Sequence, residues 1–88
     1  MKFAVNDRVR VSLEHHWARG ASATICAPSA SVASLAGGWT GLTRIVESLR
    51  GPLTFYWVRF DEPQRDADGD GPYSEAEIEA SALDLISK

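Results

Sequence analysis

The 88-residue sequence has one cysteine, Cys26, so no disulfide can form within the chain and nothing argues for an oxidising compartment. It also lacks a long apolar run. The opening MKFAVNDRVR offers only Phe3, Ala4 and Val5 between Lys2 and the returning charges, short of a signal peptide's apolar stretch, and no span suits a membrane. There is no phosphate-cradling glycine loop, and no acid–base pair or nucleophile constellation can be recognised, so the expectation is a protein that is not an enzyme. Together these absences point to a cytoplasmic protein of prokaryotic style. What remains, 44% hydrophobic and 24% charged, is the composition of an ordinary globular domain. A chain of this length makes one domain, residues 1–88, and buries only ~60% of the surface it exposes when unfolded.

The net charge of −3 conceals a division. Residues 1–60 carry seven Lys and Arg against three acids, a net +4, whereas residues 61–88 carry nine acids against Arg65 and Lys88, a net −7. Such asymmetry can mark an anionic partner at the basic end; the alternative is that in a small barrel the two parts lie side by side and neutralise each other.

Periodicity argues for strands. In KFAVNDRVRVSLE the apolar Phe3, Val5, Val9, Val11 and Leu13 fall at odd positions and Arg8, Arg10 and Ser12 at even ones, the alternation of a half-buried strand. Asn6-Asp7 interrupts it and predicts a tight bend at Asn6, because these side chains tolerate left-handed backbone. A bend at Gly20 leads to a short strand at Ala23 to Ile25. Ser29 can cap a short helix running through Ser34 or Ala36, with Val32 and Leu35 on one side and Gly37-Gly38 ending it. Gly51-Pro52 then divides a hairpin with arms at about Thr40 to Leu49 and Leu53 to Phe60. The second arm is apolar on both faces: Tyr56, Val58 and Phe60 on one, Leu53, Phe55 and Trp57 on the other. A strand of that kind must be covered twice.

The tail reads two ways. As strands, Ala76, Ile78 and Ala80 alternate against Glu77 and Glu79, followed by a one-turn bend at Ser81-Ala82-Leu83 and a last strand at Asp84 to Ile86. As a helix, Ser74 and Glu77 form a capping box, and Ile78, Ala82, Leu85 and Ile86 share a face.

Taken in order, VNDRVRV, RGASATI, WVRFDEP and EIEASALDLI resemble the pieces of small SH3-like barrels of the KOW and nitrile-hydratase-β types. Asn6 stands where that pattern has its opening glycine. The resemblance implies a mainly β fold, a small antiparallel barrel of about five strands with one short helix or ordered loop insertion. It also implies the strand version of the tail, since a one-turn helix of the ASxLxLI sort closes such barrels.

Three candidate sites follow. The first is the non-core face of the hairpin, where Phe55, Trp57 and Trp39 are expected to be buried against a protein partner or a second copy, because so short a chain has little material to cover them. The second is DADGDGPYSEAE, in which Asp66, Asp68 and Asp70 are spaced as alternating calcium ligands, Gly71 supplies the sharp turn and Glu77 stands where a bidentate ligand would. No entering helix precedes it, since FYWVRFDEPQ is β-rich and broken by Pro63. The alternative is a solvated turn, which selects the same residues. The third is a nucleic-acid surface built from Arg8, Arg10 and Arg19 with nearby aromatic rings; the acidic pI of about 5.2 and the shortness of the basic runs, DRVR being the longest, speak against it. His15 and His16, adjacent on a strand, would point to opposite faces and could not share a metal ion.

Overall fold

The computed structural model describes residues 3–87. Seven strands form one antiparallel sheet: β1 (Arg8–Val11), β2 (Ser22–Ile25), β3 (Trp39–Thr40), β4 (Thr43–Ser48), β5 (Gly51–Gln64), β6 (Tyr73–Glu79) and β7 (Leu83–Ser87). A helix, α1 (Ala30–Ala36), links β2 to β3, and a single 3-10 turn over Ala80–Ala82 links β6 to β7. The fold is mainly β, as the alternation predicts, but it has more than the expected five strands and the sheet is not closed. Its path runs β3-β4-β5-β2-β1-β7, with no pairing between the two ends among the described residues.

β5 organises everything else. Along one edge it pairs first with β4, from Gly51 to Tyr56, and then with β2, from Val58 to Phe60. Along the other edge Phe55 to Arg59 pair with β6. Pro63, which has no N–H to donate, falls in the irregular stretch between Arg59 and Gln64, where a proline costs the ladder least.

The core lies on the predicted face. Tyr56, Val58 and Phe60 are enclosed together with Val9, Val11, Ala23, Ile25, Ile78 and Leu83. Phe3 packs edge-to-face on Tyr56 at 5.1 Å, and its backbone N–H donates to the Tyr56 hydroxyl at 3.1 Å. Asn6 adopts φ 71°, the left-handed bend expected of it, and the buried Asp7 stabilises that turn by accepting from the Ala4 amide at 2.9 Å. The same bend corrects the first-segment reading. Once Asn6 reverses the backbone the alternation no longer carries through, and Val5 is left 55% exposed. Leu13, beyond the end of β1, is 76% exposed for the corresponding reason at the other end.

Ser29 caps α1 as expected, its hydroxyl accepting from the Val32 amide, and Gly37 ends it at φ 68°. The side chain of Leu35 lies outside the described residues. The tail adopts the strand version: Ile78 is buried opposite Tyr56, and Glu77 and Glu79 take the opposite face. No helix among the described residues is long and apolar enough to cross a membrane.

Candidate functional site

Directly paired residues on neighbouring strands share a face. The register therefore aligns Trp39, Arg44, Phe55 and Glu79 in one row across β3, β4, β5 and β6, on the side of the sheet away from the core. Trp57 and Glu77 form the next row, and Val46 and Leu53 the one on the hairpin side. Trp39, Phe55 and Trp57, the three residues anticipated for a partner surface, are thus brought together. All three are half-buried. The edge of one indole meets the face of the other, with Trp39 and Trp57 5.9 Å apart and 89° between their planes.

Polar groups hold this aromatic row. The Trp57 Nε1–H donates to Glu75 Oε1 at 2.7 Å, and the Arg44 guanidinium donates to both oxygens of Glu77 at 2.8 and 3.0 Å. The Trp39 indole N–H, by contrast, is shut away from solvent and meets no acceptor among the described residues. An unsatisfied donor of that kind costs about 1–3 kcal/mol. Cys26 borders the same region, its amide donating to the Trp57 carbonyl at 3.0 Å. Burial, reinforced by Glu75, pushes its thiol pKa up, so the sulfur is not an activated nucleophile.

The acidic loop is tied at its base by the pairing of Gln64 with Tyr73. Asp66, Asp68 and Asp70 converge, offering one oxygen each within 4.8 Å of one another. Glu77 is not with them, because strand β6 aims its carboxylate at Arg44. Asp66 is also occupied locally: its Oδ1 accepts from the amides of Asp68 at 3.0 Å and Asp70 at 2.9 Å. Arg65 donates to the carbonyls of Gly69 and Gly71, both at 3.2 Å, rather than to a carboxylate.

The arginines do not gather. Arg8 lies bidentate on Asp61, at 2.7 and 2.5 Å, and also donates to Thr24 Oγ1 at 2.8 Å. That hydrogen-bonded pairing holds the Asp61 carboxyl below its usual range. Arg10 sits opposite Ser22 and Asp84 in the sheet, and Arg19 is exposed in the turn before Gly20. Arg8–Asp61 and Arg44–Glu77 each join the basic front of the chain to its acidic tail. His15 and His16 lie in a turn rather than a strand, which brings their rings to 4.2 Å, and partial burial lowers the His15 pKa, with a further contribution from His16.

One pairing of interest escaped the sequence reading. Trp17 and Tyr73 meet edge-to-face at 6.0 Å beside the acidic loop, and no local pattern pairs residues so far apart in the chain. Compared with known proteins, the chain matches no family model, no curated protein and no solved structure.

Proposed function

We propose that this protein is a non-catalytic interaction module of SH3-like type that uses the face of Trp39, Phe55 and Trp57 to associate with a second copy of itself or with a protein partner. The observation that carries the reading is the row of half-buried aromatic rings on the side of β5 away from the core, continued by Val46 and Leu53 and bordered by Glu75, Glu77 and Glu79. Aromatic anchors within a polar rim are the usual anatomy of a protein–protein contact. The unsatisfied Trp39 N–H supports it as well, since docking that reseats the ring can supply the missing acceptor. The SH3-like assignment is supported by the 3-10 turn between β6 and β7 and by the return of β7 to pair with β1.

The test is the mass in solution as a function of concentration, by sedimentation or light scattering. Association that weakens on Phe55→Ser, with the circular dichroism unchanged, supports the reading. A monomer throughout, with no protein retained on the immobilised chain beyond that retained by Phe55→Ser, removes it.

A second reading, a calcium-stabilised module, is favoured by the convergence of Asp66, Asp68 and Asp70. It requires a thermal midpoint that rises in calcium and falls with chelator, and loss of that rise in Asp68→Asn. No response in excess calcium ends it.

A further inference from the structure

A cleft of about 440 Å³ opens between the turn carrying His16 and Trp17, the acidic loop at Asp66 and Asp68, and the start of β6 at Tyr73 and Glu77. It meets the aromatic face at Glu77, the cross-strand neighbour of Trp57, but none of the rings of Trp39, Phe55 and Trp57 lines it. Its walls combine two aromatic rings with carboxylates. Trp17 is anchored from behind by Phe60, with their rings edge-to-face at 5.6 Å, and Tyr73 stands across it at 80° while remaining 40% exposed. The two rings therefore form a corner rather than a closed stack.

The charge in the cleft is one-sided. Glu77 is balanced by Arg44, but Arg65, next to Asp66 in the chain, is spent on two loop carbonyls, and no described cation pairs with Asp66 or Asp68. Burial first, then the carboxylates of Asp66 and Asp70 and a side-chain hydrogen bond with Asp66, raise the Tyr73 pKa. An aromatic corner attracts a cation through the ring quadrupole, and adjacent carboxylates add Coulomb attraction and hydrogen-bond acceptors. An anion or a purely apolar group would gain neither.

We propose that this cleft receives the cationic side chain of a basic segment in a protein partner, an arginine guanidinium held against Trp17 and Tyr73, hydrogen-bonded by Asp68 and drawn in by the charge of Asp66. Arginine fits better than lysine because its planar guanidinium can lie on a ring and present a fork of N–H donors to carboxylates at once.

The experiment is a titration of the full chain, followed by the indole N–H resonances of its three tryptophans, with a capped Gly-Arg-Gly peptide and with its citrulline counterpart, which keeps the shape and loses the charge. The expected result is a saturable shift of Trp17 with the arginine peptide, little with citrulline, and Trp57 and Trp39 unmoved. Asp68→Asn and Tyr73→Leu, at exposed positions, should each weaken the arginine peptide by about 3–10-fold with the fold intact, in line with one charge or one cation–π contact at a partly exposed site. Equal shifts with both peptides, a shift unaffected by Asp68→Asn, or a Trp17 response to calcium alone would each overturn the proposal. A free arginine that binds as tightly as the peptide would overturn the partner as its source.

Discussion

Replacing Gly71 by alanine tests the loop that presents both Asp68 and Tyr73. Gly71 has φ +113°, and a Cβ built there would lie 2.9 Å from the Tyr73 amide nitrogen, 3.0 Å from Tyr73 Cδ2 and 3.1 Å from the Gln64 carbonyl oxygen. Two of those three atoms belong to the backbone at the base of the loop, so neither can swing aside. The left-handed backbone costs an alanine about 1–2 kcal/mol, and forcing atoms into a filled space adds about 1–3 kcal/mol. Restricting the unfolded chain returns about 0.4–1 kcal/mol. The expected loss is about 3 kcal/mol. Gly69 is the built-in control: its φ is +85°, but nothing lies within 4 Å of its would-be Cβ, so Gly69→Ala pays only the conformational part, about 1 kcal/mol. At about 4–8 °C per kcal/mol for a domain of this size, Gly71→Ala should melt roughly 12–24 °C below the parent and Gly69→Ala only about 4–8 °C below it. Urea titration followed by tryptophan fluorescence measures both. Gly71→Ala should also weaken the arginine peptide, because the clash pushes Tyr73 away from Trp17. Equal destabilisation of the two variants would refute the steric argument and leave only the backbone term.

Ile78→Ala, at a fully enclosed position, should cost about 2–5 kcal/mol in denaturant titration, whereas Ile45→Ala, at a side chain 61% exposed, should stay within about 0.5 kcal/mol. His15 has a lowered pKa, so the folded chain holds its proton less tightly than the unfolded one; stability should decline as pH falls below the ordinary value of 6.5 and level off once the folded-state pKa is passed. A His15→Gln variant should show a shallower decline over that window by thermal melting, and an unchanged slope would assign the effect to other groups. The raised pKa of Cys26 keeps its thiol protonated at neutral pH, so its reaction with a disulfide reagent should run slower than that of a free cysteine and accelerate as pH rises; a fast neutral-pH reaction would contradict the assigned burial.

The β class, the core face and the ends of the helix were legible in the sequence because each rests on neighbouring residues. The strand ends were not: the arm expected to stop at Phe60 runs on to Gln64, and the one expected from Thr40 begins at Thr43. Tyr56, Val58 and Phe60 alternate within one strand, Ser29 and Gly37 bracket a helix, and Asn6 can adopt positive φ on its own account. The limit of local reading shows at the same bend. Val5 and Leu13 carry the right periodicity, yet chain reversal and the end of β1 leave them outside. The separation of Glu77 from the acidic trio was foreshadowed by the strand version of the tail, in which alternation turns it to the outer face, but only the register with β5 and β4 delivers it to Arg44.

Composition and alternation by themselves determined that this chain is mainly β, with a core face and an aromatic face on its longest strand, since burying apolar surface from an alternating strand leaves few other arrangements. Which groups meet across that domain was decided by tertiary structure. Arg8 reaches Asp61, Trp39 reaches Trp57, and Trp17 reaches Tyr73 because β5 is long enough to pair with three strands in turn and bring their ends together. Contacts of that range depend on register and sheet geometry, which no short window of residues encodes.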